Sequence, residues 1–313
     1  MGQQWSNLFP PAPRFTEENL SDQKGKVFII TGSSGGIGKQ LAAILYGRNA
    51  TVYVATRSKQ KAESAISEIS QTYPDSKGQL IFLHLDLGDL TTIRKSAEEF
   101  LKKESRLDVL WNNAGVMVPP AGSKTAQGYE LQLGTNNIGH FLFTHFLRPV
   151  LKQTAESSPK GSVRVVWVSS SMAEIAPKPA IDFSNMDYHR DENQWRKYAR
   201  SKAGNVLHAC EFARQVKKEG IISVSLNPGN LITDLQRTMP KWQLIFVKLI
   251  AHDSKFGAYT ELFAGLHPEI TEEKTGSWIA PFGRLSTARG DLLDPALGKR
   301  YWEWTNEQVQ TYL

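Results

Sequence analysis

Thr31-Gly32-Ser33-Ser34-Gly35-Gly36-Ile37-Gly38 joins a short apolar run, Val27–Thr31, to a segment at 39–46 whose apolar residues have helical spacing. Glycines allow a tight turn and let the backbone approach a bound pyrophosphate closely. The N-terminus of the following helix offers free N–H groups and the positive end of the helix dipole. The stretch therefore predicts a phosphate-binding loop rather than a plain surface turn.

The alternation of strand and helix continues along the chain. Further β-branched apolar runs predict strands at 51–55, 80–85, 107–111, 163–168 and 222–226. Helical periodicity predicts helices at 59–73, 90–103, 129–151 and 198–218. Strands that are apolar on both faces are typical of a parallel sheet covered by helices on both sides. We therefore expect an α/β fold with a doubly wound parallel sheet of the Rossmann type.

The expected domain organisation is simple. Residues 1–25 contain Pro10, Pro11 and Pro13 without strong periodicity, which is typical of an extended arm. From residue 26 onward no internal repeat or linker divides the chain. We expect a single domain over 26–313, with a less regular region after Pro228 in which the apolar stretch 241–251 is helical.

Composition excludes several classes of protein. The 313 residues are 40% hydrophobic and 22% charged, which is ordinary for a soluble globular protein. The net charge of +6 is scattered along the chain, which argues against a nucleic-acid binder. Cys210 is the single cysteine, so no internal disulfide can form, and we expect a reducing, cytoplasmic location. No apolar run approaches the roughly 18 residues that a membrane span needs.

One feature of the N-terminus is compatible with a lipid anchor. Met1-Gly2-Gln3-Gln4-Trp5-Ser6 fits the short N-myristoylation pattern at Gly2. No polybasic patch follows that would provide the second anchor needed for stable membrane binding. We therefore expect a chance match, and a membrane-tethered interaction protein is the weakest of the functional hypotheses.

For a glycine loop that binds a dinucleotide, the end of the second predicted strand indicates which dinucleotide is preferred. An NAD enzyme holds the ribose 2′-hydroxyl with an acidic residue near this position. Here the strand ends in Val54-Ala55-Thr56, and Arg57 follows at once. A guanidinium attracts the 2′-phosphate of NADP(H), and Lys59 and Lys61 add to the positive field. The sequence therefore favours NADP(H) over NAD(H).

A tyrosine and a lysine stand one helical turn apart in the segment 198–218. Tyr198 and Lys202 are at positions i and i+4, so they share one face of the predicted helix. A free phenol has a pKa near ~10, which makes it a poor base at neutral pH. A nearby ammonium stabilises the phenolate, and we expect Lys202 to lower the pKa of Tyr198 enough for acid–base catalysis.

Polar segments follow four other predicted elements. Val168-Ser169-Ser170-Ser171 and Asn112-Asn113-Ala114-Gly115 each follow a strand, as does Asn227-Pro228-Gly229-Asn230-Leu231-Ile232-Thr233. Asn136-Asn137-Ile138-Gly139 lies within a predicted helix. Ligands of open α/β sheets bind at the carboxyl edge of the strands, where a serine can polarise a reacting oxygen. We therefore expect one site that combines these segments with the glycine loop.

Together these segments resemble the short-chain dehydrogenase/reductase family over roughly residues 25–235. The resemblance implies that Tyr198 is the general acid–base, that Lys202 lowers its pKa and holds the nicotinamide ribose, and that Ser170 orients the substrate oxygen. It implies that Asn136 holds a water in a proton relay, that Asp86 contacts adenine, and that Leu231 and Thr233 face the carboxamide. The implied cofactor-binding residues are Gly32, Ser34, Gly36, Ile37, Gly38, Arg57, Asp86, Leu87, Asn113, Ala114, Gly115, Tyr198, Lys202, Pro228, Gly229, Leu231 and Thr233.

Two assignments stay open within the motifs. The triple serine allows Ser169 or Ser171 in place of Ser170, and Asn137 can replace Asn136.

The long gap between Ser170 and Tyr198 is similar to that of the retinol-dehydrogenase-like and fungal branch, many of whose members act in secondary metabolism. No carboxylate or cysteine shares the helical face of His140 and His145 at ligand spacing, so we expect no metal site.

The resemblance also places a variable substrate lid at 236–270. Its apolar residues predict a lipophilic carbonyl or alcohol substrate, reduced or oxidised by hydride exchange with NADP(H). The family includes monomers and homodimers, so either is compatible with this sequence. The alternative function is a non-catalytic NADP(H)-binding scaffold or sensor, against which the intact set of serine, tyrosine, lysine and asparagine argues.

Overall fold

A computed structural model describes residues 10–231 and 251–313 of the chain. In this part of the chain eight strands form one sheet in the order β3-β2-β1-β4-β5-β6-β7-β8. The strands are β1 (Val27–Thr31), β2 (Thr51–Thr56), β3 (Gln79–His84), β4 (Val109–Asn112), β5 (Val163–Val168), β6 (Ile221–Leu226), β7 (Trp278–Ala280) and β8 (Arg284–Ser286). The expected α/β fold with a doubly wound sheet is confirmed.

Helices cover both faces of this sheet. They are α1 (Gly36–Tyr46), α2 (Lys59–Thr72), α3 (Leu90–Leu101), α4 (His140–Glu156), α5 (Gln194–Val216), α6 (Ser254–Leu266) and α7 (Pro295–Val309). Side chains of Ser58, Asp89 and Asn193 cap the starts of α2, α3 and α5, where backbone N–H groups lack partners within the helix. Because both faces are covered, every residue of β1, β5 and β6 is buried.

The sheet is not entirely parallel, in contrast to our expectation. The first seven strands run parallel, but β8 pairs with β7 in the antiparallel direction. Phe282 and Gly283, which connect these two strands, have φ values of +66° and +81°. The backbone therefore reverses in a tight turn, and no crossover helix is needed.

The predicted helix at 129–151 is interrupted. A short turn at Leu131–Leu133 is followed by a π-helix at Gly134–Gly139, and the regular helix α4 begins only at His140. The wide turn contains Asn136 and Asn137, whose side chains bond to neighbouring segments rather than to solvent. Such π-turns are frequent at functional sites, and hydrophobic periodicity alone does not reveal them.

The order of the strands places the switch point of the sheet between β1 and β4. The chain moves outward in one direction through β2 and β3 and in the other through β5 and β6. The carboxyl ends of β1, β4, β5 and β6 therefore lie side by side along one edge. In open α/β sheets the crevice at this point is where ligands bind.

Helix α5 is buried over most of its length. Every residue from 197 to 213 is buried, although the helix is on the outer layer of the sheet. The C-terminal helix α7 provides the cover: Tyr301 stacks on His208 and Trp302 stacks on Phe212. Helix α5 is thus held between the sheet on one side and α7 on the other.

The described part of the N-terminal arm packs against this domain. Phe15 and Leu20 are buried, and Glu17 forms an ion pair with Lys255 at 2.6 Å. Residues 1–9, which include the myristoylation pattern at Gly2, lie outside the described part. Of the helices that the structure describes, none has the length and apolar character required to cross a bilayer.

Helix α6 approaches the sheet closely, and Gly265 makes this approach possible. A Cβ atom at Gly265 would lie 2.1 Å from Cζ2 of the buried Trp111 ring. We expect Gly265→Ala to lower the free energy of unfolding by about 1–3 kcal/mol, because the indole cannot move aside without repacking its neighbours. Urea denaturation of the purified protein measures this change.

Gly290→Ala is the matched control, since a Cβ atom there meets nothing within 4 Å. It should change the free energy of unfolding by less than about 0.5 kcal/mol. Equal effects of the two substitutions would contradict the close approach of α6 to Trp111.

Candidate active site

The loop between β1 and α1 is shaped for the close approach of a phosphate group. Gly32 has a φ of +71°, and a Cβ atom on it would lie 2.8 Å from the Cα of Ala114. Helix α1 begins at Gly36, and Gly35 before it has no side chain with which to cap the first N–H groups. These groups and the helix dipole are free to bind an anion. The loop therefore fits the pyrophosphate of a dinucleotide.

The hydroxyl of Thr31 ties the glycine loop to the segment after β4. Thr31 Oγ1 accepts hydrogen bonds from the backbone N–H groups of Asn113 at 2.9 Å and Ala114 at 2.8 Å. The Asn113 side chain in turn donates to the Thr31 carbonyl at 2.6 Å. A Cβ atom on Gly38 would lie 2.6 Å from Nδ2 of Asn113, so the loop and this segment are in direct contact.

His140 extends the same network to the π-helix. Its Nδ1 lies 3.1 Å from the carbonyl oxygen of Asn136, and its Nε2 lies 2.9 Å from Thr31 Oγ1. A carbonyl only accepts, so Nδ1 carries the proton and Nε2 accepts from the Thr31 hydroxyl. Burial lowers the pKa of His140 to about 3, which keeps the ring neutral at physiological pH. His145, by contrast, is exposed.

Both asparagines of the π-helix are buried and have different partners. Asn136 bonds to the backbone of Val116 through both side-chain groups, and its Nδ2 also donates to Ser201 Oγ at 3.0 Å. Asn137 donates to the Ser201 carbonyl at 2.8 Å and to Asn205 at 2.6 Å. A Cβ atom on Gly115 would lie 3.3 Å from Asn136 Oδ1 and 3.5 Å from Lys202 Nζ. Asn136 and Lys202 therefore border the same space.

The three serines after β5 have separate environments. Ser169 is buried and donates to the Lys202 carbonyl at 2.6 Å. Ser170 is hydrogen-bonded to the Tyr198 side chain and also caps a short turn at Met172. Ser171 begins that turn. Ser170 is thus the serine that the structure brings to the tyrosine.

Tyr198 and Lys202 lie together on α5, as expected, but the pKa of the tyrosine is not lowered. Burial raises the pKa of Tyr198 to about 12, against which the hydrogen bond from Ser170 lowers it. Lys202 Nζ lies 5.7 Å from the centre of the Tyr198 ring and donates to the Val168 carbonyl at 2.9 Å. Burial also lowers the pKa of Lys202 to about 8. Our expectation neglected the desolvation of both groups, which dominates at this edge.

The residues predicted to contact the adenosine half of the dinucleotide lie mainly just after β2 and β3. Arg57 follows β2 and is exposed, and within residues 10–231 and 251–313 its guanidinium forms no ion pair. Oγ of Ser34 in the glycine loop lies 3.3 Å from Oγ1 of Thr56, the last residue of β2. After β3, Asp86 accepts the N–H of Gly88 at 2.9 Å. Leu87 packs against the π-helix, since a Cβ atom on Gly139 would be 2.5 Å from its carbonyl oxygen.

The predicted residues after β6 are only partly described. Gly229 has a φ of +102° and follows Pro228, whose carbonyl accepts from Thr260 at 3.5 Å. Leu231 is buried and contacts α6, since a Cβ atom on Gly257 would lie 2.3 Å from Leu231 Cδ1. Thr233, residues 236–250 of the expected lid and the apolar stretch at 241–250 lie outside the described part of the chain.

Sequence reasoning missed three residues at this edge: Thr31, His140 and Glu261. In the sequence Thr31 marks only the end of a strand and the start of the glycine loop, with no role for its hydroxyl, and His140 is a histidine for which no metal site is expected. Glu261 lies on α6, fully buried, with no hydrogen-bond partner for either oxygen in the described part of the structure. The sequence does contain a sign that this face of α6 packs closely, because the residues three and four positions from Glu261 are all glycine or alanine (Gly257, Ala258, Ala264 and Gly265).

Comparisons with known proteins agree with this architecture. A family model described as short chain dehydrogenase matches residues 26–244. Short-chain dehydrogenase/reductase pkfC of Emericella nidulans is 54% identical over 305 residues, covering 96% of this chain and 98% of the relative. Short-chain dehydrogenase/reductase iacJ of Pestalotiopsis fici is 43% identical over 310 residues, covering 96% and 95%.

Solved structures share the fold. An uncharacterized protein from Mycobacterium Paratuberculosis has a TM-score of 0.72 at 26% identity, covering 95% of this chain and 97% of that one. The NADPH-bound carbonyl reductase from chicken fatty liver has a TM-score of 0.63 at 20% identity, covering 85% and 99%. At that identity the second comparison concerns the fold alone.

The Thr31 hydroxyl should be essential to the structure of this edge. In Thr31→Val the N–H groups of Asn113 and Ala114 and the Nε2 of His140 lose their common partner. We expect the free energy of unfolding to fall by about 2–4 kcal/mol, because buried polar groups without partners are costly. Urea denaturation measures the loss. Thr31→Ser, which keeps the hydroxyl, should lose less than half as much, and equal losses would contradict the assigned role.

Proposed function

The chain belongs to the short-chain dehydrogenase/reductase family, and from this premise we propose that it exchanges a hydride between NADP(H) and a lipophilic carbonyl or alcohol. The coarser function, a nicotinamide-dependent oxidoreductase that acts on a CH–OH group, follows from the family. The observation that carries the finer proposal is the cluster of Ser170, Tyr198 and Lys202 beside Asn136 at the edge where the glycine loop lies. A binding scaffold would not need a buried phenol in this place.

The protonation state of Tyr198 supports a role as proton donor. A phenol with a pKa of about 12 stays protonated at neutral pH. In the reducing direction Ser170 and Tyr198 would hold the substrate oxygen, and Tyr198 would give its proton to that oxygen as negative charge develops. Lys202 would stabilise the resulting phenolate electrostatically. A bound nicotinamide would supply the hydride, or accept it in the reverse direction.

The proton would then be restored through the chain's polar groups. Asn136 and Lys202 border one space beside Gly115, so a water there could reach both. Lys202, with a pKa lowered to about 8, exchanges a proton readily near neutral pH. We assign Asn136 rather than Asn137 to this relay, because Asn136 Oδ1 lies beside the same space at Gly115 as Lys202 Nζ, whereas the amide nitrogen of Asn137 donates to Ser201 and Asn205.

The surroundings of Tyr198 support an apolar substrate. A cavity of about 330 Å³ is lined by Met172, Ile175, Pro177 and Trp195 with Asn193, Arg196 and Ala199. Trp195 meets the Tyr198 ring edge to face, with centroids 6.4 Å apart. Among the described residues the lining includes neither Ser170 nor Tyr198, but Met172 and Ala199 are close to them in the chain. Such a wall suits the hydrocarbon body of a lipophilic substrate whose carbonyl would point towards Ser170 and Tyr198.

The preference for NADP(H) rests on Arg57. Its guanidinium is exposed beside the glycine loop, without an ion pair in the described residues, and no acidic residue ends β2. A free guanidinium there can bind the 2′-phosphate with charge-assisted hydrogen bonds. Asp86, Leu87 and the Asn113-Ala114-Gly115 segment would line the rest of the dinucleotide.

Tyr198→Phe tests the proposed acid–base role. With benzaldehyde and NADPH as probes, we expect kcat to fall by about 10²–10⁴-fold, because proton donation to the substrate oxygen is lost. The affinity for NADPH, measured by fluorescence titration, should change by less than about threefold, since the phenol hydroxyl is removed without changing the shape of the site.

Tyr188→Phe is the control, because Tyr188 is a half-buried tyrosine that lies beside Lys197, a residue at the start of the helix that carries Tyr198. It should retain turnover. Undiminished turnover in Tyr198→Phe would refute the assigned role, and absence of turnover in the wild type with benzaldehyde and a wider ketone panel would favour the scaffold or sensor.

Arg57→Ala tests the choice of cofactor. We expect the ratio of kcat/KM for NADPH over NADH to fall by about 10–100-fold, mainly through KM for NADPH, because a charge-assisted hydrogen bond to the 2′-phosphate is lost. Lys102→Ala removes an exposed cation at the end of α3 and should leave the ratio unchanged. A ratio unaffected by Arg57→Ala would mean that a group other than Arg57 distinguishes the 2′-phosphate from the 2′-hydroxyl of the ribose.

A further inference from the structure

The cavity of about 330 Å³ near Tyr198 has a polar part that an apolar substrate does not explain. Two of its lining residues, Asn193 and Arg196, are polar, and both are exposed at the start of α5. The other described lining residues are apolar: Met172, Ile175, Pro177, Trp195 and Ala199. In ligand pockets, a few polar groups among apolar walls determine which ligand is bound and how it is oriented.

Two contacts join this cavity to the residues that we assign to catalysis. Trp195, which lines the cavity, meets the Tyr198 ring edge to face, with centroids 6.4 Å apart. Met172, another lining residue, donates its backbone N–H to Ser170 Oγ at 3.2 Å. A ligand whose body fills the cavity therefore contacts the immediate neighbours of both catalytic side chains.

Asn193 offers a hydrogen-bond donor at this cavity. Its Oδ1 caps α5 by accepting the backbone N–H of Arg196 at 2.9 Å. A backbone N–H only donates, so this bond fixes the orientation of the amide and leaves Nδ2 as its second polar group. In the described residues no group accepts a hydrogen bond from Nδ2, which is therefore available to a ligand that carries an acceptor.

Arg196 carries a positive charge that forms no ion pair within the described part of the chain. Two acidic residues precede it, but both are paired with other cations. Asp191 accepts from Lys197 at 2.6 Å, and both oxygens of Glu192 bind Arg200 at 2.8 Å. The hydrogen bonds from Arg200 lower the pKa of Glu192, and the charge of Arg196 adds to this effect from a distance. The guanidinium of Arg196 is therefore left to bind a ligand.

The polar side chains that line the cavity thus offer donors and a positive charge, and neither of them offers a negative charge. The matching group on a ligand is an anion with several acceptor lone pairs. A carboxylate fits best, because its two oxygens accept parallel N–H bonds from the planar guanidinium of Arg196. Nδ2 of Asn193 supplies a donor for a further bond to the same group.

We propose that the substrate carries a carboxylate in addition to its reacting carbonyl or alcohol, and that Arg196 and Asn193 bind this carboxylate. The inference rests on the proposed function and deepens it, since it names the class of substrate for the same site: an apolar oxo acid or hydroxy acid. The apolar walls hold the hydrocarbon part between the two ends. The carboxylate takes no part in the hydride or proton transfer, so Arg196 determines specificity and is not a catalytic residue.

Pairs of charged and uncharged aldehydes test the proposal. The wild type is assayed with NADPH and p-formylbenzoate or the longer p-(p-formylphenyl)benzoate, each compared with its methyl ester. We expect kcat/KM for at least one acid to exceed that of its ester by about 3–10-fold, mainly through KM, because the carboxylate adds binding energy without changing the reacting carbonyl. High salt should weaken this preference, since the pair is exposed. Equal values for both pairs would overturn the proposal.

Arg196→Gln tests whether the preference comes from the guanidinium. The ratio of kcat/KM for acid over ester should fall to about one, and general damage to the enzyme cancels in this ratio. Arg196→Lys, which keeps the charge but not the planar fork, should retain part of the preference. A ratio that survives Arg196→Gln overturns the role of Arg196.

Arg300→Gln is the matched control, because Arg300 is an exposed arginine on α7 that lies over the Phe183 ring and does not line the cavity. Its ratio of acid over ester should be that of the wild type.

A binding measurement tests the carboxylate site without turnover. Saturating NADP⁺ keeps the glycine loop occupied, and p-toluate is titrated into the wild type and Arg196→Gln by NMR. We expect the dissociation constant for p-toluate to be about 3–10-fold lower in the wild type, whereas the neutral p-toluamide should bind equally to both proteins. Equal affinities of the two proteins for p-toluate would contradict the site.

The two proposals can fail separately. If the wild type reduces none of the aldehydes, the proposed function fails, and the binding of p-toluate alone decides whether Arg196 forms a carboxylate site. If Tyr198 is required for turnover but neither the ratio nor the binding responds to Arg196→Gln, only the inference about Arg196 fails.

Discussion

The hydroxyl of Thr31 is the contact on which the candidate site depends. It stands at the last residue of β1 and accepts two N–H groups from the segment after β4, while its proton goes to His140. Through the other nitrogen of His140 the same network holds the backbone of Asn136 in the π-helix. One side-chain oxygen thus sets the relative positions of the glycine loop, the segment after β4 and the π-helix.

The sequence predicted the central fold because parallel strands that are buried on both faces leave an unambiguous apolar signature. The bounds of β1 and β5 agree with those expected, and the polar segments after β4, β5 and β6 could be assigned to one edge from topology alone. The π-helix was not predictable, because Asn136 and Asn137 satisfy distant partners that periodicity cannot reveal. The short strands β7 and β8 have three residues each, too few for a periodic signal.

Desolvation explains why the pKa values of Tyr198 and Lys202 differ from those that their spacing in the sequence predicts. A lysine one turn from a tyrosine suggests an acidic phenol, but burial raises the pKa of Tyr198 and lowers that of Lys202, so each group is driven towards its neutral form. The hydrogen bond from Ser170 opposes this for the tyrosine, and the carboxyl of Glu261 opposes it for the lysine. The pKa values of the pair are therefore adjusted by two residues on other elements, 28 and 59 positions away from their partners in the chain.

The segment after residue 251 consequently does more than complete the sheet. Helix α6 carries the buried Glu261 against the sheet, and Gly257 and Gly265 on the same helix allow its close approach to Leu231 and Trp111. Helix α7 covers α5 from outside, with Tyr301 stacked on His208, so the helix that carries Tyr198 and Lys202 is enclosed over most of its length. Enclosure excludes water from this helix, and the resulting desolvation raises the pKa of Tyr198 and lowers that of Lys202. The burial of Tyr198 and Lys202 thus depends in part on helices from the C-terminal quarter of the chain.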